Sequence, residues 1–441
     1  MQPNSLFSQP DGVWSAARVP GRFGWAQLIA VEAALLAAGT AVLGHNLVAT
    51  LATGVVAVVL LVLALARSGG RWLYQSLAAR RRLSRRRHQV RAALQATDDP
   101  VLAVAPGLRI RTVTDRGVAF GVGQDPAGWF AALGVLSWIG PAADRPPSLS
   151  LDRIAGLLTE AVTTISAVQV VKHHAAAVPE TGTAANDLVW LALRLGSRDA
   201  VDAAASRGGG LDGVDRALAA GVGRVGTILS GADVPYELLD ASAVHHALTV
   251  SCGLYRPGGR GSTGLDERWR LWSAAGLVHV CFAVRGWPAR PDPDLLDHLV
   301  AVPAAATDTA ILVAPHGSDA VSRVLVRVSA APASIAESLR RLRENARRLG
   351  VRLDRTDGDH GTGVYATAPT AWTPVSPSPS AWAAATPAPD GWTPLIAAPR
   401  ARPPVISPAG AWQPPILGPG GPARPTPATP TLPTVTMPKT R

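Results

Sequence analysis

Leu277–Val284 (LVHVCFAV), Ala310–Val313 (AILV) and Val321–Val328 (VSRVLVRV) are three apolar, β-branched runs, and what lies between and after them sets the reading of the chain's middle. Such runs predict strands. After the first, Asp292 and Pro293 predict an N-cap and first helical residue, with the helix running through Leu299. After the third, Ser334 and Glu337 have capping-box spacing. Ile335, Leu339, Leu342, Ala346 and Leu349 then share a helical face, Gly350 ends the helix, and Val351–Asp354 forms a last strand. The order is β-α-β-β-α-β.

Moving toward the N-terminus, the same order recurs. Trp129–Trp138 reads as a strand, Leu151, Ile154, Leu157, Leu158 and Val162 as one helical face, and Ile165–Val171 and Leu188–Leu195 as two strands. A longer helix carries Leu211, Val214, Leu218, Val222, Val225 and Leu229, ahead of an extended piece at Val234–Leu239. Residues 129–250 and 277–355 thus predict two related, ferredoxin-like βαββαβ units within an α/β region spanning 99–368, with the GRGSTG run near Gly259 as linker. Each sheet would carry its two helices on one face, and the two halves could cover each other's bare faces. Arg109–Thr114 and Val118–Val122, around Asp115–Gly117, predict a hairpin leading in.

Further out, Trp25–Leu43 is a nineteen-residue run whose one charge is Glu32, and Leu47–Ala66 is a twenty-residue run without charge, separated by Gly44, His45 and Asn46. Each has the length of a membrane span, so 25–66 predicts a two-helix transmembrane hairpin, with spans 25–43 and 47–66, after an N-terminal segment 1–24. A cleaved signal peptide ending near Ala37–Ala41 is the competing account, and Glu32 and the second run stand against it. The net charge of +11 is concentrated: Arg67 to Arg91 holds nine arginines and no acid, the tail from Pro369 about +4, and the stretch between comes out near −2. With Arg18 and Arg22 before the first run, the positive-inside rule puts both termini in the cytoplasm and makes the chain a multi-pass protein of the cell membrane. Glu32, about 10 Å along the first helix, reads either as an intramembrane packing contact or as a carboxylate snorkelling to the inner leaflet.

Residues 67–98 read as an interfacial helix on anionic lipid. Arg71, Arg80, Arg81, Arg82, Arg85, Arg86 and Arg87 would meet the headgroups, and Trp72 and Tyr74 the aromatic belt. Few aromatics interleave with these charges, so no nucleic-acid partner is expected, although a membrane-tethered nucleic-acid binder acting through Arg80–Arg91 is one alternative.

The run RVPGRFGWAQLIAVEAALL from Arg18, the short hairpin, and GGRWLYQSLAARRRL from Gly69 together resemble the EccE component of the actinobacterial type VII (ESX) secretion system. The resemblance is clearest over 18 to about 135 and thins out toward about 370; its local motif is Arg71, Trp72, Leu73 and Tyr74, followed by the arginine cluster. It implies a non-catalytic inner-membrane subunit that assembles with EccB, EccC, EccD and the mycosin protease into a machine exporting small helical proteins. The resemblance stops before the Pro-rich tail.

No catalytic, cofactor-binding or metal site is assigned. The chain has no GxxxxGK[ST] phosphate loop. Gly221, Gly223 and Gly226 satisfy G-x-G-x-x-G but fall in a helical pattern, where their amides cannot cradle a pyrophosphate. The neighbouring pairs His173/His174 and His245/His246 diverge on a strand or helix, and Cys252 and Cys281 read as buried thiols. Asp292 and Asp294 (PDPD) have the spacing of a divalent-metal pair, so a membrane-anchored glycosyltransferase-like enzyme using Mg²⁺ or Mn²⁺ is the other alternative; a helix N-terminus explains both acids more simply. Residues 369–441 hold 20 of 38 prolines, with Trp372, Trp382, Trp392 and Trp412 at ten-residue multiples, and predict a disordered tail.

Overall fold

The computed structural model describes residues 28–29, 31–36, 39, 47–65, 67–68, 71–138, 146–158, 165–177, 185–255, 264–316, 319–372, 385–389, 392 and 394–399. A small ladder, β1 (Arg67–Ser68) against β2 (Arg71–Trp72), precedes the main body. The first half then holds β3 (Arg109–Asp115), β4 (Val118–Asp125), β5 (Gly128–Val135), β6 (Ser148–Ser150), β7 (Ala167–Ala175), β8 (Asn186–Gly196) and β9 (Tyr236–Leu238). The second holds β10 (Asp266–Arg268), β11 (Leu271–Ala274), β12 (Leu277–Gly286), β13 (Ala306–His316), β14 (Asp319–Ala330) and β15 (Arg352–Arg355), and β16 (Leu395–Ala397) comes last. The β3–β4 hairpin turns through Arg116 and Gly117, both at positive φ (48° and 82°), as a two-residue loop between right-twisted strands requires.

Twelve of these strands form one antiparallel sheet, in the order β10-β11-β12-β14-β13-β7-β8-β5-β4-β3, with β15 alongside β12 and β9 alongside β5. The halves repeat each other. In one, β12 has β14 on one side and shares the other between β11 and β15; in the second, β5 has β8 on one side and shares the other between β4 and β9. They meet where Ala306–Val313 of β13 runs opposite Val168–Ala175 of β7.

This corrects the expected packing of two separate units face to face. Joining edge to edge satisfies the main-chain groups of two strands that would otherwise be open edges. Each face of the shared sheet is then covered by helices. Leu151–Ala155, Gly210–Ser230, Leu295–Val300 and Ile335–Arg348 bury residues in one core with Val170, Leu193, Val280 and Val326. Pro100–Val104, Ala241–Ser251 and His360–Ala366 do so on the opposite face, with Val171, Ala192, Cys281 and Leu325.

The membrane-anchored fold is also corrected. Among the described residues no helix is long and apolar enough to cross a membrane. The expected hairpin of 25–43 and 47–66 is therefore not seen, and a multi-pass arrangement is not supported. A helix does occupy Leu47–Leu65, with Val48, Leu51 and Val55 exposed. The first run is described only at 28–29, 31–36 and 39, and its other residues lie outside the described set, as does the run 256–263 around Gly259.

Two local expectations change as well. Ser334 makes no capping bond, its hydroxyl donating to Ala331 O (3.3 Å), while Glu337 turns to Arg340 and Arg341. The helix expected from Pro293 begins at Leu295, because Asp292 Oδ1 accepts from Asp294 N (2.7 Å) in a turn ahead of it.

Parts of the tail are built into the fold, which corrects its reading as disordered from 369. β16 pairs with β6, Thr386 N donates to Val284 O (2.8 Å), and Ala388 N donates to Ser322 O (2.7 Å). Trp392 is buried against Trp287 (ring centroids 4.7 Å), its Nε1 donating to Asp292 O (3.2 Å). Proline removes donors but leaves carbonyls and edge pairing available, and a tryptophan supplies a large apolar area to bury. Trp382, Trp412 and 400–441 lie outside the described residues.

Candidate functional site

Leu73–Ala96 is a 24-residue helix rich in Leu, Ala, Gln and Arg, all strong helix formers. Ala79 and Leu83, four apart, are buried on one of its faces. The same side carries Arg86, whose Nε and Nη2 donate to Glu267 Oε2 (3.1 Å) and Oε1 (3.0 Å) while Nη1 donates to Asp359 Oδ1 (3.1 Å). Nη2 also donates to Gly358 O. Glu267 further accepts from Gly361 N (2.9 Å), so one carboxylate ties β10, the His360–Ala366 helix and the arginine helix together. Burial alone would lower the Arg86 pKa, and pairing with Glu267 and then Asp359 outweighs it and raises it. Arg87 reaches Asp266 Oδ1 (3.4 Å), and the Arg80 guanidinium lies 5.4 Å from the Trp269 ring centroid.

The arginines expected to form one headgroup-facing set are thus divided. Arg86, Arg87 and Arg80 hold the helix to the second half, and Arg82 is half-buried, with Nη2 enclosed and without a hydrogen-bond partner among the described residues. Arg81 and Arg85, one turn apart, are exposed and have no acidic partner among the described residues, and exposed His88 continues their row. Arg71 and Trp72 lie in β2 and Tyr74 in the first turn of the helix; their side chains lie outside the described set. Glu32 is exposed.

Two further clusters lie inside the sheet's second face. Arg194 on β8 is fully buried and donates from both Nη atoms to Asp125 (2.8 and 2.7 Å), with Nε donating to Ala371 O (3.0 Å) and Nη2 to Thr370 O (2.8 Å). Tyr365 OH donates to the same carboxylate (2.8 Å). Gln169 adds the adjacent clamp, Nε2 donating to Ala366 O (2.7 Å) and Oε1 accepting from Ala371 N (2.6 Å). Arg327 on β14, equally buried, pairs with Asp308 (2.6 Å) and donates to Ser251 O, and His173 Nδ1 lies 2.7 Å from the other Asp308 oxygen. Both carboxyls would be pushed up by burial, but Arg194 and Arg327 hold them below the usual carboxylate range.

These clusters are structural in chemistry: buried charges neutralised by hydrogen-bonded partners, with the Cys252 and Cys281 thiols pushed by burial up to about 12 and so unreactive at neutral pH. Among the described residues no three His, Cys, Asp or Glu side chains converge as a metal site. Asp292 and Asp294 are exposed, while His174 and His245 pair separately with Asp187 and Asp99. Gly221 and Gly226 let their helix close on Ile165 and Tyr236, where a Cβ would fall 2.8 and 2.5 Å from side-chain atoms. Sequence reasoning passed over Arg194, Arg327, Glu267 and Asp359. The signal for Arg194 is a lone arginine in an otherwise apolar strand, LVWLALRLG, whereas Arg327 shares its strand, DAVSRVLVRVSA, with Arg323.

Residues 183–284 match the family model described as "Putative type VII ESX secretion system translocon, EccE". The match supports membership of the EccE family. It covers under a quarter of the 441 residues, running from just before β8 through β12. Of the groups above it includes Arg194, Asp266 and Glu267, and it leaves out the arginine helix. A comparison with curated proteins finds no match. The EccE match supports involvement in a type VII secretion translocon.

Proposed function

We propose that the chain is a non-catalytic structural subunit of a type VII (ESX) secretion complex, which supports export of small helical proteins by bracing neighbouring subunits at the cytoplasmic membrane. The EccE match over 183–284 is the observation that carries this reading. The geometry is in keeping with it, because the buried ionic clusters serve cohesion and the arginine helix is fixed as a rigid ridge on the second half. In this reading the outward side of the ridge, with Arg81 and Arg85, and the Arg71, Trp72 and Tyr74 stretch before it meet anionic lipid, and the partners are EccB, EccC, EccD and the mycosin-like subunit.

Copurification tests it. The full chain, coexpressed with EccB, EccC and EccD and extracted in mild detergent, is expected to elute with them as one complex. Elution of the chain alone, while the other three assemble without it, overturns the proposal.

A further inference from the structure

The twelve-stranded sheet has two ends, and they differ. At one, β10 is three residues long and adjoins the arginine helix, with Arg86 and Arg87 on Glu267 and Asp266. At the other, β3 is a seven-residue strand, RIRTVTD, with Arg109, Thr112 and Thr114 exposed. Its pairing with β4 runs without a bulge from Arg109 to Asp115, and it contains no proline and no lysine. A terminal strand this long and regular, without a proline, a lysine or a bulge, is a template for another strand.

Register identifies the partner. The two-residue turn makes Asp115 and Val118 a hydrogen-bonded pair, so Asp115, Val113, Arg111 and Arg109 spend their main-chain groups on β4. Ile110, Thr112 and Thr114 then direct theirs outward, and no main-chain bond from them to another segment occurs among the described residues. A second β3, antiparallel and related by a two-fold axis at Thr112, sets Thr112 opposite Thr112 and Ile110 opposite Thr114. Every outward donor then meets an outward acceptor.

The same register places Arg109 opposite Asp115 twice, and among the described residues neither has an ion-pair partner within its own chain. Arg111 and Val113, which also oppose each other, already face the Gly210–Ser230 helix through the Arg111–Asp215 pair and the first core. A sequence that is complementary to itself in both hydrogen bonding and charge fits an isologous contact. We propose that β3 is the interface between two copies of this chain, joined into one continuous sheet across a two-fold axis.

The mass of the purified full chain, followed against concentration by light scattering or sedimentation, tests this. The wild type is expected to dimerise. Asp115→Arg sets two arginine pairs against each other and should weaken the dimer at least about tenfold. Thr112→Pro removes an outward donor without touching a β4 bond and should do the same. The double variant R109D/D115R restores opposite charges across the axis and should dimerise again. A wild type that stays monomeric at the highest attainable concentration, or a dimer indifferent to both single substitutions, overturns the proposal.

Discussion

Asp308 and His173 stand directly opposite each other across the β13–β7 pair, Oδ1 to Nδ1 at 2.7 Å, and thereby mark the line on which the two halves of the sheet are joined. The other Asp308 oxygen holds the buried Arg327. Asp308→Ala strands that guanidinium without a counter-charge and should cost about 3–5 kcal/mol in urea unfolding. A loss below about 1 kcal/mol would show that the seam does not depend on it.

Stability should fall on mild acidification. His279 is pushed down to about 3, first by burial and then by Arg327, and burial lowers His360 too. Below about pH 6.5 the unfolded chain takes up protons that these two imidazoles refuse while folded, so the unfolded state gains. Asp125 and Asp308 act in the same direction lower down: their depressed pKa values stabilise the fold above about pH 3.9, and this is lost as pH falls through the folded values. Between pH 7.5 and 5.5 the loss from His279 should be on the order of 1 kcal/mol, with His360 adding in the same direction, seen as a lower urea midpoint, and His279→Gln should reduce the slope. A midpoint flat across that window contradicts this.

Arg86→Ala should loosen the arginine helix without unfolding the sheet. Hydrogen exchange over residues 73–96 is expected to quicken while β7 and β13 stay protected. Part of the effect is repulsion between the abandoned Glu267 and Asp359, so adding E267Q and D359N should restore some protection. Unchanged exchange in R86A would mean that Ala79, Leu83, Arg80 and Arg87 seat the helix without Arg86.

Arg81→Glu with Arg85→Glu should leave the melting temperature in place, because neither side chain pairs within the described fold. Cosedimentation with vesicles rich in anionic lipid should nevertheless drop, by roughly fivefold or more per residue. Equal binding of the variant and the wild type would remove these arginines from any membrane role.

Trp392→Ala removes the ring packed on Trp287 and the bond to Asp292 O. A loss of about 3–5 kcal/mol is expected, as for other buried tryptophans. If stability is unchanged, Trp392 adds nothing to the core.

The strands and helices of the two βαββαβ orders were legible because their apolar residues recur at periods of 2 and 3.6, as in Val168, Val170 of β7 or Leu339, Leu342, Ala346, whereas β10, β11 and the helices Ala241–Ser251 and His360–Ala366 were not expected. Which edges would join was not legible, since β7 alternates between Val170 and Val171 on its two faces and could be covered in several ways. The arginine run looked uniform in sequence; only Glu267 and Asp359, some 180 and 270 residues away, separate Arg86 from Arg81 and Arg85. Proline density hid the docking of the tail, because composition carries no trace of the groove beside Trp287 that receives Trp392.

The clamp on Arg194 has a consequence for how the protein is made. Its carboxylate partner, Asp125, is synthesised early, but Tyr365, Thr370 and Ala371, which complete the enclosure, leave the ribosome some 170 to 250 residues later. Gln169 waits for the same late segment. The N-terminal half therefore emerges with a charged interior still open, and Tyr365, Thr370 and Ala371 have to return across the sheet to seal it. Maturation is a whole-chain event, and a nascent or truncated product ending before Tyr365 would present quality-control machinery with an unfinished core.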